Sequence, residues 1–302
     1  MAFNSSTLRV LIFSCRVFSF FGLLLSYTPN VTVAIDGSGD YQTITAAVKN
    51  IPMNRKHEYV IFIKKGTYNE SIYIGMNMSN LVFIGDGKQK TVIEFSKSVA
   101  SGFDTQDSAT LDISANDVLI KGISIVNSAG SEGGQAVALR TAGDNIVVYQ
   151  CSIKGYQDTL LTAYGQQFFR ESEIYGTVDF IFGDANVVFQ NCMIYVRKPI
   201  HGQVNVITAQ GRGEPKKTGT VLHNCSIIAD KELEPYTMEQ ERNQDLNLRG
   251  PKLKTNFFFS YKCTVCDCDQ ESEEEQQQQQ SGSDLRKRAA AASNNDGGGV
   301  DA

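Results

Sequence analysis

Five short stretches of the chain share one pattern of apolar and polar positions. Each begins apolar, turns polar in the middle and ends with an isoleucine that follows a small or apolar residue by two positions. The final isoleucines fall at 125, 153, 174, 194 and 227, so the repeats are 28, 21, 20 and 33 residues apart. Recurrence at this period predicts a stacked architecture, because one unit cannot bury its apolar face alone. The stretches are 119–125, 147–153, 168–174, 188–194 and 221–227.

The composition of these repeats favours short strands over helices. They are rich in Val, Ile and Phe, and Gly and Asn separate them. Unequal steps fit the coils of a parallel β-helix joined by connections of different lengths. We therefore predict an all-β solenoid, with further strands at 31–35, 59–64, 71–74 and 81–84. Thr43 can cap a short helix that runs to Lys49 and closes the open end of the core.

Two aspartates lie about one coil apart in this scheme. Asp158 and Asp179 are 21 residues apart, each in an otherwise uncharged, partly aromatic segment. Residues one coil apart in a solenoid lie about 4.8 Å from each other, so we expect both side chains in one site. Two close carboxylates do not both ionise easily, which provides an acid and a nucleophile or base. The alternative is that both are turn aspartates that cap strands.

Six blocks follow one another between about residues 29 and 235, namely Val33–Tyr41, Gly66–Glu70, Gln135–Arg140, Tyr156–Leu160, Asp179–Gly183 and Thr208–Arg212. In this order they resemble blocks of plant-type pectin methylesterases, or pectinesterases. The resemblance implies a right-handed parallel β-helix that hydrolyses the methyl esters of pectin (homogalacturonan) to pectate and methanol in cell-wall modification. It implies no metal and no cofactor.

The resemblance also implies roles for individual residues. Asp179 would be the nucleophile, and Asp158 would protonate the departing methanol and then activate water as a base. Gln157 and Gln135 would donate hydrogen bonds to the oxyanion, and Gln135 and Thr105 would contact the substrate. The chemistry is consistent with these roles, because a carboxylate nucleophile splits a hard step into two easier ones. Amide donors aimed at developing charge typically give the largest single rate term.

One block of the family is missing. Where pectinesterases have Leu-Gly-Arg-Pro-Trp, this chain has Leu248-Arg-Gly-Pro251, and none of its 302 residues is a tryptophan. Arg249 either takes the place of the family arginine or is an unrelated loop arginine. The alternative function is therefore a catalytically impaired, pectin-binding β-helix protein. A β-helix lyase or polygalacturonase is a third reading, but the acidic calcium-binding clusters of such enzymes are not found.

The ends of the chain differ in character from the repeats. Residues 1–28 contain Arg9 and Arg16 before or beside the apolar run Val17–Leu25, which predicts a signal peptide and secretion to the cell wall. An amphipathic intracellular leader is the alternative. We assign 29–235 to the β-helix domain and 236–262 to its divergent end. Residues 263–302 form a low-complexity tail that we predict to be disordered.

Charge and cysteine content change this picture little. The net charge of −5 argues against a nucleic-acid partner. The resemblance implies pectin as the partner, a proteinaceous pectinesterase inhibitor as a further one, and a monomer.

Cys151, Cys192 and Cys225 should stack as small core residues. The family often bridges the positions of Cys151 and Ser172, so Cys151 should be free or pair elsewhere. The stretch Cys263–Cys268 is either a metal site or part of the tail.

Overall fold

The computed structural model describes residues 27–53, 55–210 and 218–233. In this part of the chain the strands are short and parallel, and each coil contributes one strand to each of up to three sheets. Parallel connections of this kind are right-handed in nearly all proteins. The result is the predicted all-β parallel β-helix, and no helix among the described residues is long and apolar enough to cross a membrane.

Three parallel sheets form the walls of the solenoid. Sheet A contains β1 Val31–Val33, β2 Tyr59–Ile63, β5 Leu81–Gly85, β8 Val118–Lys121, β11 Ile146–Tyr149, β14 Gln166–Arg170, β17 Asn186–Gln190 and β20 Thr220–His223. Sheet B contains β3 Gly66–Asn69, β6 Thr91–Phe95, β9 Ser124–Asn127, β12 Ser152–Lys154, β15 Glu173–Gly176, β18 Met193–Val196 and β21 Ser226–Ala229. Sheet C contains β4 Ile72–Ile74, β7 Leu111–Ile113, β10 Leu139–Ala142, β13 Leu160–Tyr164, β16 Ile181–Phe182 and β19 Thr208–Ala209.

The five isoleucines of the repeat pair with one another, coil by coil, in sheet B. Ile125 pairs with Ile153, Ile153 with Ile174, Ile174 with Ile194 and Ile194 with Ile227. The first four are fully buried, so they form a ladder inside the solenoid. The polar middle of each repeat is the corner at which the chain leaves sheet A and enters sheet B. Each predicted stretch therefore contains two strands and the turn between them.

The core also contains the predicted column two residues before the isoleucines. Ile123, Cys151, Ser172 and Cys192 are at most 1% exposed, and Cys225 is 7% exposed. Cys151 is a free thiol, as expected from the serine at position 172. The backbone N–H of Cys151 donates to Ser172 Oγ over 3.1 Å, so the hydroxyl is used inside the core.

The N-terminal cap forms as the sequence predicts. Helix α1, Ile44–Lys49, begins after Thr43, whose hydroxyl accepts a hydrogen bond from the N–H of Ala46. Glu70 supplies a second cap, because its two carboxylate oxygens accept 2.8 Å hydrogen bonds from the N–H groups of Ile44 and Thr45. A carboxylate at a helix N-terminus is favoured by the exposed N–H groups there. Glu70 thus has a structural role.

Aromatic packing inside the coils gives a stability prediction. The rings of Phe169 and Phe189 stack with centroids 4.8 Å apart, and both residues are fully buried. Phe169→Ala should lower the free energy of unfolding by about 3–5 kcal/mol, because it leaves a cavity in the closed interior. Urea titration of the purified protein checks this. Tyr73→Ala, on the outer face of β4 and 61% exposed, is the control and should cost under about 1 kcal/mol.

Candidate active site

The site lies where the chain passes from sheet B to sheet C. Residues 155–159 connect β12 to β13 in one coil, and residues 177–180 connect β15 to β16 in the next. Leu160 pairs with Ile181, so equivalent positions of the two connections are 21 residues apart. Asp158 and Asp179 differ by that number and therefore occupy stacked positions.

Both aspartates have left-handed backbone conformations, with φ of 60° for Asp158 and 48° for Asp179. Aspartate tolerates this region better than most residues. The N–H of Asp158 donates to the carbonyl of Val178 over 3.0 Å, which ties the two turns together. Among the described residues neither carboxylate accepts a hydrogen bond, which counts against the reading of both as strand caps.

Burial and the neighbouring charge change the pKa of Asp158. Asp158 is 9% exposed. Burial, followed by repulsion from the charge on Asp179, raises the pKa of Asp158 from 3.8 to about 7. A carboxyl group with this pKa is protonated in a large fraction of molecules near neutral pH and can donate a proton. The site thus holds a proton donor next to a second carboxylate.

The two predicted amide donors also stack. Gln135 and Gln157 are paired across adjacent coils in parallel register. The N–H of Ala136 donates to the carbonyl of Gln157 over 3.2 Å, which fixes this register beside Asp158. The amide oxygen of Gln157 accepts a hydrogen bond from Gln203 Nε2 at 3.4 Å. The structure therefore places Gln157 directly before Asp158 and Gln135 at the stacked position of the preceding coil.

Thr105 lies in a segment that is joined to Gln135. It precedes the 3₁₀ turn Gln106–Ser108, and its carbonyl accepts a 2.6 Å hydrogen bond from Ser108 Oγ. The same oxygen of Ser108 accepts from the N–H of Val137 over 2.9 Å. Two hydrogen bonds through Ser108 therefore link Thr105 to Val137, two residues after Gln135. Its role in substrate contact stays a prediction.

The outer face of sheet C forms a floor beside the carboxylates. Leu161, three residues after Asp158, pairs with Phe182, and both belong to an apolar patch. One coil further, Arg140 donates to Asp112 over 2.7 Å. Burial raises the pKa of Asp112, and the hydrogen bond and charge of Arg140 oppose that rise. The floor is thus apolar near Asp158 and Asp179, and it carries the Arg140–Asp112 ion pair further along the sheet.

An arginine that the sequence analysis did not single out lies at this site. The guanidinium of Arg197 lies 3.8 Å from the centre of the Tyr156 ring and donates to the carbonyl of Gly155 over 3.0 Å and to Tyr156 Oη over 2.7 Å. Asp230 and Glu232, from the following coil, are its ionic partners at 3.5 and 3.1 Å. Arg197 thus holds the turn that carries Asp158. Arg249 lies outside the described residues, and so does the stretch 263–268.

No group of three or more metal-ligating side chains occurs among the residues that the structure describes. The assembled features are two aspartates and two glutamines, each pair at stacked positions of adjacent coils, and an apolar patch on the wall of a parallel β-helix. A protein with this fold and these side chains belongs to the parallel β-helix proteins whose site contains two carboxyl groups.

Comparison with known proteins extends this definition. The family model for pectinesterase matches residues 30–244. Pectinesterase 2 of Citrus sinensis is 48% identical over 215 residues, which cover 70% of this chain and 42% of the relative. The probable pectinesterase/pectinesterase inhibitor 59 of Arabidopsis thaliana is 46% identical over 217 residues, which cover 70% and 40%. The chain belongs to the pectinesterase family, and it spans about two fifths of the length of these relatives.

Solved structures agree with the fold. Pectin methylesterase from carrot is 44% identical, with a TM-score of 0.69 over 71% of this chain and 68% of the carrot chain. A pectin methylesterase solved in complex with a hexasaccharide is 31% identical, with a TM-score of 0.63 over 69% and 68% of the two chains. The predicted right-handed parallel β-helix is confirmed.

Proposed function

We propose that this chain hydrolyses the methyl esters of pectin to pectate and methanol. The observation that carries the proposal is the stacked carboxylate pair, in which Asp158 has a pKa of about 7 beside Asp179. Family membership supports the substrate class, because the similar solved proteins are named pectin methylesterases. The apolar floor at Leu161 and Phe182 is consistent with an uncharged methyl ester in the site.

The residues present suffice to write the reaction as two steps. The carboxylate of Asp179 attacks the ester carbonyl carbon, and the oxyanion that forms accepts hydrogen bonds from the Nε2 groups of Gln157 and Gln135. The C–O bond to methoxide breaks as Asp158 gives its proton to that oxygen, so methanol leaves and an acyl-aspartate anhydride remains. Asp158, now ionised, takes a proton from water. The hydroxide formed opens the anhydride, which releases pectate and restores both aspartates.

Methanol release from highly esterified pectin tests the proposal. The purified chain should release methanol in proportion to the carboxylates formed, and a titration of released protons should match both. A protein that binds oligogalacturonides without releasing methanol would instead be a binding module, the alternative suggested by the missing Leu-Gly-Arg-Pro-Trp block. Release of unsaturated or shortened oligosaccharides would indicate a lyase or a polygalacturonase and would contradict the proposal.

The setting of the reaction follows from the same proposal. We expect a secreted, monomeric protein that acts on cell-wall pectin. A proteinaceous pectinesterase inhibitor is a further partner, and several similar relatives are named pectinesterase/pectinesterase inhibitor. The net charge of −5 makes nucleic acid an unfavourable partner. Fractionation of cell-wall extracts checks the location. Size-exclusion chromatography with and without an inhibitor protein checks whether the chain is a monomer and whether it binds the inhibitor.

A further inference from the structure

The connection from β18 to β19, residues 197–207, packs against both aspartate-bearing turns. Its backbone is fixed to the Asp179 turn, since the N–H groups of Arg197 and Val206 donate to the carbonyls of Gly176 and Thr177 over 2.8 and 3.0 Å. Asn205 Nδ2 donates to the carbonyls of Thr177 and Arg197 over 3.1 and 3.0 Å. The connection is therefore built into the site.

Two side chains of this connection reach back to the Asp158 turn. Arg197 holds its backbone through the carbonyl of Gly155 and the ring of Tyr156. Gln203 makes a different contact, because its Nε2 donates to the amide oxygen of Gln157 at 3.4 Å. The partners of this hydrogen bond are 46 residues apart in the chain. The oxygen of the Gln157 amide thus has a donor in the connection between β18 and β19.

The orientation of that amide decides whether Gln157 can act. An amide has two donors on nitrogen and an acceptor oxygen, and the two ends have nearly the same shape. A half-turn about the terminal bond would point the oxygen at the developing oxyanion and would repel it. A donor that binds the oxygen from the opposite side selects the orientation in which Nε2 faces the oxyanion.

We propose that Gln203 is a positioning residue that sets the amide orientation of Gln157 for oxyanion stabilisation. This proposal rests on the proposed esterase function. Gln203 acts through Gln157, the residue to which its side chain donates. Arg197 places the connection from which Gln203 reaches Gln157, and no metal, cofactor or further reactant is needed.

Substitutions at Gln203 separate this role from simple packing. Gln203→Met keeps the size of the side chain but removes the donor, and kcat should fall roughly 10-fold as the Gln157 amide loses its preferred orientation. Gln203→Glu offers only an acceptor at about pH 6.5, where Glu is ionised. It should draw Nε2 of Gln157 away from the site and lower kcat by roughly 10²–10³-fold, with KM within about 2-fold. Equal effects of Met and Glu would overturn the proposal.

A double-mutant cycle tests whether the effect passes through Gln157. In a Gln157→Ala background, Gln203→Met and Gln203→Glu should each change kcat by less than about 2-fold. A direct effect of the Glu charge on the carboxylates would persist in that background and would contradict the proposal. Gln190→Ala is the matched control, because it removes an amide contact to His223 on the outer face of sheet A. It should leave kcat unchanged.

A measurement without turnover keeps this proposal separate from the esterase function. The side-chain amide protons of Gln203 should exchange slowly by NMR, and Gln157→Ala should accelerate their exchange. If the wild-type protein releases no methanol, the proposed esterase function is wrong. The exchange measurement still shows whether Gln203 and Gln157 are in contact. Exchange that is unaffected by Gln157→Ala would overturn the positioning role with or without turnover.

Discussion

Asp179→Asn should lower the rate of methanol release by roughly 10⁴-fold or more while the β-helix stays folded. Asparagine has the size of aspartate and tolerates the left-handed backbone at φ 48°, so the turn keeps its shape. An amide cannot form the acyl-aspartate anhydride, and the two-step route is lost. The measurement is the initial rate of methanol release from esterified pectin, with circular dichroism as the check on folding.

Asp117→Asn is the matched control for this substitution. Asp117 also has a left-handed backbone, with φ of 56°, but it precedes β8 at the corner between sheets C and A. The control should keep the wild-type rate. A variant at position 179 that is as active as wild type would show that Asp179 is not the nucleophile. Loss of activity in both variants would point to folding rather than chemistry.

Asp158 gives the second large effect, on pH dependence. Its folded pKa of about 7 means that the protonated form, which must donate a proton to the departing methoxide oxygen, disappears as pH rises through 7. The kcat for methanol release should therefore fall about tenfold per pH unit above that value if leaving-group departure limits the rate. Asp158→Asn removes the group itself, so its residual rate should lack this fall above pH 7. Rates measured across the pH range check the expectation.

The same pKa has the opposite consequence for stability. Because the folded pKa of Asp158 lies above its ordinary value of 3.8, its contribution to stability is fully present below about pH 4 and is lost as pH rises to about 7. At about 1.4 kcal/mol per pH unit, the loss is on the order of 4 kcal/mol. Asp158→Asn should thus be more stable than wild type at pH 8 and nearly equal at pH 4. Urea unfolding at the two pH values checks this, and a lower stability of the variant at pH 8 would contradict it.

The periodic parts of the molecule could be predicted from the sequence for a physical reason. In a solenoid, residues at equivalent positions of adjacent coils pair in register. The number of residues per coil therefore predicts both the isoleucine column and the aspartate pair. The 21-residue step between Asp158 and Asp179 is the same as that between Leu160 and Ile181. Thr43 is likewise a local signal, because a helix cap depends on neighbours three residues away.

The parts that could not be predicted lie in irregular connections. Arg197 and Gln203 contact residues 42 and 46 positions earlier, and no periodic pattern links such positions. Their neighbours in space depend on how residues 197–207 fold back, which is set by backbone contacts such as those of Asn205. The strand ends were also missed by one or two residues, since β1 stops at Val33 and β4 starts at Ile72. The predicted domain boundaries and the role of Arg249 stay predictions.

The ionic partners of Arg197 come from the final coil that the structure describes, at Asp230 and Glu232. Local unfolding of the coil that contains Asp230 and Glu232 would therefore release the guanidinium of Arg197 without separating the coils that carry Asp158 and Asp179. On gradual warming, catalysis would then be lost at a lower temperature than the bulk of the β-structure. The coil that holds Asp230 and Glu232 would then set the upper temperature for catalysis, although it contributes neither of the two aspartates.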